Sequence, residues 1–371
     1  MTSEQLWEKI EKGTFVIAEI GKGFIQSEDD RLVAEYLANA KALVRAAKDS
    51  SADAVKFQTH TVEDEQLNIE VTSPHFKGSD RYSWVTRNTN ATPLEEFWRP
   101  LKAYCDEVGI AFFSTPMSRG AAKLLNEVGV ELWKVGSGDI LDFVLLDYLA
   151  STKKPIIISS GMSTLEELDA SLAFLKARGA RVALLHCVSK YPCPPEELNL
   201  SSINFLRERY GLPTGFSDHS IGLDSSLAAV ALGARIIEKH FSFDRALWGS
   251  DHKVSMLPQE LHELAARVRQ FEQDPAEAAQ FLESDVARRS MGTPGKVLQE
   301  DEAVFRPYFR KSLMAGADIA AGTTLLPEYV YAMRPQAYAG GLPSEKYDEV
   351  LGRTTTVALK KYDPITLESL K

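Results

Sequence analysis

Short runs of β-branched, aromatic and aliphatic residues alternate with longer stretches whose apolar positions recur at helical spacing, along roughly the first 250 residues. This is the sequence form of repeated βα units. Eight runs carry it: 14–19, 54–57, 110–114, 132–135, 155–159, 182–186, 213–217 and 235–239. Most are nearly continuous in apolar residues, as parallel strands covered on both faces must be, and stretches such as 30–48 read as amphipathic helices. The pattern predicts an α/β fold, a (β/α)8 TIM barrel. A doubly wound open sheet is the alternative, because periodicity does not distinguish a closed sheet from one with edges, although no GxGxxG turn supports it.

Each predicted strand ends in residues able to do chemistry: Glu19; Lys56 with Gln58; Ser114 with Thr115; Lys134 with Ser137; Ser159 with Ser160; His186 with Ser189; Ser217 with His219; Glu238 with His240. In a barrel these ends converge on one mouth, where active sites of this fold lie. Period-two geometry puts Lys56 with Gln58, Ser217 with His219 and Glu238 with His240 on matching faces.

The length, 371 residues, holds one barrel and a small further unit, or two to three smaller domains. A net charge of -10 argues against gripping nucleic acid or anionic lipid through the overall field, while leaving room for a local basic pocket. No run is long and apolar enough to cross a bilayer, and the opening MTSEQLWEKIEKG is neither basic nor apolar, so a cytoplasmic protein with no membrane partner is expected. Cys105, Cys187 and Cys193 form no close metal-ligand pattern and read as free thiols.

The strings FVIAEIG, AVKFQTH, FFSTPMS, WKVGSGD, KPIIISSGMSTLEEL, LLHCVSKYPCP, GFSDHSIG, ALGARIIEKHF and GSDHKVSM stand in the order seen in N-acetylneuraminate synthases. Over nearly its whole length the chain resembles the sialic acid synthase family, legionaminic and pseudaminic acid synthases included. The resemblance implies a barrel over 1–285, a linker over 286–305, and a small antifreeze-like (SAF, β-clip) domain over 306–371. The tail RKSLMAGADIAAGTTLLPEYVYAMRPQ and LGRTTTVALKKYDPIT carries the last of these, with Gly322 and Gly352 at turns. It also implies condensation of phosphoenolpyruvate with the open-chain aldehyde of an N-acyl amino sugar, releasing phosphate.

By the same resemblance His219 and His240 are metal ligands, for which manganese is the preferred ion and magnesium or cobalt is admissible. Lys56 and Lys134 would neutralise phosphoenolpyruvate, Thr115, Ser137, Ser160, Ser189 and Ser217 would donate hydrogen bonds to it, and the GSGD and SSGM loops offer backbone N–H groups. Glu19 and Asp139 resemble the carboxylates near the reacting centre. Gln58, Tyr191 and Asp251 resemble sugar-side residues. Arg334 resembles an arginine that reaches the neighbouring subunit's sugar, implying a domain-swapped homodimer.

The chain departs from the family where AEIGKGFIQ replaces AEIG followed by NHNG or NHEG, with Gln26 as a candidate substitute. It departs again at Asp139, where glutamate is usual, and in a long polar loop over 62–93. Simpler readings stand beside these: strand histidines satisfied in the core, lysines snorkelling to solvent, serines making turns, Arg334 in a surface salt bridge. His186 reads as a core residue, Cys187 and Cys193 as packing, and Trp84 and Trp248 as either sugar-site or core residues. His60, His75, His252 and His262 are individually uninformative. The rival functions are a related condensing barrel acting on a sugar phosphate, which needs an extra basic cluster, and a carbohydrate-binding protein without activity.

Overall fold

A computed structural model describes residues 1–72 and 80–371; His75 and the centre of the 62–93 loop lie outside them. The apolar runs become eight parallel strands, β1 (Phe15–Gly21), β2 (Ala54–Thr59), β3 (Ala111–Pro116), β4 (Trp133–Val135), β5 (Ile156–Ser159), β6 (Val182–Cys187), β7 (Thr214–Asp218) and β8 (Ile236–His240). Their order is β3-β2-β1-β8-β7-β6-β5-β4, so the first and last strands pair and sequence neighbours are spatial neighbours. β3 and β4 lie side by side without a shared ladder, which leaves the barrel almost closed and sets aside the doubly wound sheet. Several strands run past their predicted ends, β8 as far as His240, because the ladder continues into the polar mouth: Glu19 stands opposite both Lys56 and His240.

Inside the barrel, Phe15, Ile17, Ala54, Phe113, Leu132, Ile157, Leu185 and Ile236 pack into one apolar cluster. Its lower end is closed by an N-terminal helix, Ser3–Lys12, which inserts Leu6 and Ile10 and starts with a Thr2/Gln5 capping box. Burying each of these aliphatic side chains contributes about 1.5–3 kcal/mol. At Gly215 a Cβ would collide with the backbone carbonyl of Ile236, so only glycine allows β7 to approach β8 this closely. A second apolar shell lies between the strands and the outer helices.

The chain after the barrel is structured, with short helices at Asp285–Ser290, Glu300–Ala303 and Arg306–Phe309. It ends in a small unit around an antiparallel pair, β9 (Ser312–Ala315) and β10 (Val330–Met333). This unit is fastened to its own barrel. Arg119 donates to the Pro327 and Val330 carbonyls, each at 2.7 Å, and Ser344 Oγ donates to the Leu141 carbonyl at 2.7 Å. No described helix is long and apolar enough to cross a membrane.

Candidate active site

The inward positions of the strands are apolar at the bottom and polar at the top, and the polar set forms the floor of a cavity of about 550 Å³ at the barrel mouth. Lys56 Nζ lies 2.7 Å from Glu19 Oε2, 3.6 Å from Glu238 Oε1 and 3.1 Å from Thr115 Oγ1. Lys134 Nζ lies 3.8 Å from Glu238 and donates to Ser159 Oγ at 2.7 Å. Gln58 donates to Glu19 Oε1 at 3.0 Å, and Ser217 to Glu238 at 3.2 Å. Burial, with the nearby Glu238 charge adding to it, outweighs Lys56 and raises the Glu19 carboxyl to about 7. Burial acts the same way on Glu238, yet Lys134 and Lys56 outweigh it and hold that carboxyl below its ordinary value. Two carboxylates are thus tuned apart.

His219 and His240, at the ends of β7 and β8, have ring centroids 5.6 Å apart. Tyr191 packs beside them, 4.0 Å from the His219 ring and 5.8 Å from that of His240. His219 Nδ1–H donates to the Val188 carbonyl at 2.8 Å, which fixes the tautomer and leaves Nε2 as the available nitrogen. Burial pushes His240 down to about 4, opposed by Asp251, so its imidazole is neutral at physiological pH. No group of three or more His, Cys, Asp or Glu arranged to hold a metal occurs among the described residues. Two imidazoles facing an open cavity fit a catalytic ion that takes its other ligands from substrate and water, and do not fit a closed structural site.

A hydroxyl cradle adjoins the floor. A Cβ on Gly161 would collide with the Ser189 hydroxyl and lie 2.5 Å from that of Ser137, so glycine alone lets these groups converge. Three expectations are corrected here. Ser160 is buried outside the cavity lining, because the alternation of β5 turns Ser159 inward in its place. The Met162 N–H of the SSGM loop is donated to Glu302 and is not offered to a ligand. Cys187 is more than packing: it lines the cavity beside His219 and Ser137, and although burial raises a thiol's pKa, the His219 charge lowers this one below its ordinary value.

The outer wall comes from loops and the C-terminal unit. Arg334, fully buried, pairs with Asp139 and stands 3.9 Å from Glu65. Lys311 lies 3.0 Å from Asp139 and 2.6 Å from Asp142. Burial raises the Asp139 carboxyl and Arg334 and Lys311 more than reverse this, so Asp139 is held as a carboxylate and anchors the arginine. Within one chain Arg334 lines the cavity of the barrel on which its C-terminal unit sits. Its buried Nε has no hydrogen-bond partner among the described residues.

His60 Nδ1 and Glu65 Oε2 are 2.6 Å apart, Lys22 reaches His60 Nε2 while lying 3.5 Å over the Trp84 ring, and Arg81 is 3.7 Å from Glu65. Lys22, His60 and Arg81 line the cavity without having been expected there, and Glu65 braces His60 and Arg81 from behind. The only signals were the KGFIQ departure, the last residue of AVKFQTH, and the loop over 62–93. Ile25 lines the cavity where Gln26 was the expected substitute; Gln26 instead donates to the Gly23 carbonyl at 3.3 Å. Every other predicted site residue, Ser160 excepted, lines this one cavity, as do Trp84, Trp248 and His252. His186 is a core residue whose Nε2 donates to the Leu198 carbonyl at 2.6 Å. The three cysteines are free and buried.

A barrel whose mouth gathers two lysines, two histidines and paired carboxylates in one cavity, under a C-terminal β unit, has its ionisable side chains where enzymes of this fold carry their active sites. Residues 43–279 match the NeuB family and residues 310–371 the SAF domain. The chain belongs to the NeuB family. It is 34% identical over 361 residues to the N,N'-diacetyllegionaminic acid synthase of Campylobacter jejuni, covering 94% of this chain and 98% of that one. It is 32% identical to the N-acetylneuraminate-9-phosphate synthase of Mus musculus, covering 96% of this chain and 92% of that one. The crystal structure of spore coat polysaccharide biosynthesis protein spsE from Bacillus subtilis superposes with a TM-score of 0.75 at 29% identity, covering 97% and 95% of the two chains.

Proposed function

We propose that the protein condenses phosphoenolpyruvate with the open-chain form of an N-acyl amino sugar, giving a nonulosonic acid and phosphate. The carrying observation is one cavity in which Lys56 and Lys134 lie beside His219 and His240, with Arg334 facing them from the C-terminal unit. Relatives named as N,N'-diacetyllegionaminic acid synthase and N-acetylneuraminate-9-phosphate synthase point to an amino sugar as the acceptor.

In this reading Lys56 and Lys134 neutralise the enol phosphate, and Thr115, Ser137, Ser189 and Ser217, joined by Ser159, donate hydrogen bonds to its oxygens. A divalent ion held by His219 and His240, manganese for preference, would polarise the acceptor aldehyde and stabilise charge building on its oxygen. The enol carbon attacks that aldehyde, water adds at the former enol phosphate carbon, and phosphate leaves. Glu19, with a pKa of about 7, holds or releases a proton at neutral pH and serves the proton transfers. Asp139 positions Arg334, which with Gln58, Tyr191 and Asp251 faces the sugar. Trp84 and Trp248 supply apolar wall against it.

The test is incubation of the purified protein with phosphoenolpyruvate, manganese, and a panel of N-acetylmannosamine, its 6-phosphate and a 2,4-diacetamido trideoxyhexose, with products weighed by mass spectrometry. One acceptor is expected to give the condensed acid with stoichiometric phosphate. No phosphate release with any amino sugar would overturn the reading in favour of a binding protein. A second reading, a phosphorylated acceptor, draws on the outer wall, where Lys22, Arg81, Arg87, Lys253 and Arg334 stand against Asp139 and Asp251. A phosphorylated sugar that outpaces its unphosphorylated counterpart under matched conditions selects it.

A further inference from the structure

The turn after β5 carries Met162 at φ 51°, a left-handed backbone that costs any non-glycine residue free energy. Both backbone groups of this residue are held by the chain that follows the barrel. Its N–H donates to Glu302 Oε1 at 3.0 Å, and its carbonyl accepts from Arg310 Nη2 at 2.6 Å. The same Glu302 oxygen accepts the N–H of Ser189 at 2.8 Å, from the turn after β6. Glu302 is fully buried, its other oxygen accepts from the Gln299 N–H at 3.3 Å, and Arg310 is steadied by Glu167 at 3.2 Å. Gly161, next to Met162 in the first clamped turn, packs so closely that the hydroxyls of Ser137 and of Ser189, on the second clamped turn, converge on it.

We infer that Glu302, seconded by Arg310, is a positioning residue for phosphoenolpyruvate. One buried carboxylate ties two turns together through charge-assisted hydrogen bonds, and an arginine holds the strained peptide from its other side. The clamp keeps the Ser189 turn facing the anion and holds Gly161 where the Ser137 hydroxyl packs against it. The segment joining the barrel to the C-terminal unit therefore serves the phosphoenolpyruvate side of the cavity, while Arg334 serves the acceptor side. This inference rests on the function proposed above.

Glu302→Ala is expected to raise KM for phosphoenolpyruvate roughly tenfold or more, the worth of lost hydrogen bonds to a charged group, with KM for the acceptor near wild type. Glu302→Gln keeps an accepting oxygen and should retain most of the affinity. Adding Met162→Gly to Glu302→Ala should restore part of it, because glycine adopts φ 51° without strain. Hydrogen exchange, read by mass spectrometry on peptides spanning 160–163 and 187–190, should quicken in Glu302→Ala while the rest of the barrel stays protected. A uniform fall in kcat and in kcat/KM for both substrates alongside the melting temperature, or unchanged exchange in these two peptides, overturns the inference. Wild-type protein that consumes no phosphoenolpyruvate overturns the functional reading instead, and is seen before any variant is made.

Discussion

Lys56, Lys134, Glu19 and Glu238 at the floor of the cavity stand on strands of one barrel, whereas Lys22, His60, Arg81, Asp139 and Arg334 at its outer wall come from the segments that follow the strands and from a unit more than 300 residues along the chain. The floor is rigid by construction: each side chain leaves a hydrogen-bonded ladder whose alternate residues are fixed inward. The wall is joined across distant segments by buried ion pairs, such as Arg334 with Asp139. Such pairs are costly to desolvate and stable only when every partner is present. In the function proposed above, the floor is suited to holding the enol phosphate and the wall to choosing an acceptor.

That division can be broken by experiment. The largest effect is expected at the strand-borne imidazoles: His219→Ala or His240→Ala should abolish turnover with the circular dichroism spectrum intact. Activity surviving both changes would remove the divalent ion from the mechanism. Lys134→Met comes next, because it strips a buried cation from Glu238 and should cost roughly 3–5 kcal/mol in stability, with a drop of about a thousandfold in kcat/KM. Thermal melts and phosphate release measure the two quantities.

On the wall, Arg334→Ala should raise acceptor KM roughly tenfold to a hundredfold while phosphoenolpyruvate KM moves little, since a charge-assisted hydrogen bond is lost on one side only. Equal rises in both constants would show that floor and wall act as one unit. The smallest effect lies in pH. The Glu19 carboxyl moves from an ordinary 4.5 to about 7 in the folded chain, so the folded state keeps a proton that the unfolded state has lost. The stability that proton contributes is present below about 4.5 and is lost as pH rises toward about 7. Glu19→Gln should flatten denaturation midpoints across that window; a slope unchanged from wild type would assign the titration to another group.

The amino-acid sequence by itself determined the barrel and the floor of its site. Eight apolar runs with polar ends leave a parallel sheet little choice but to cover both faces and gather those ends at one mouth, and period two then says which of Lys56, Gln58, Ser217, His219, Glu238 and His240 point inward. It differs by one residue at Ser160, which the resemblance assigned to phosphoenolpyruvate, whereas the alternation of β5 turns Ser159 into the cavity. Only the tertiary structure decided the wall, the clamp of Glu302 on Met162 and Ser189, and the docking of Arg334 on its own barrel. Local periodicity reports which face a residue takes within its own element. Contacts between residues such as 65, 139 and 334 depend on how whole elements pack and which buried charges then find one another, and no spacing along the chain encodes that.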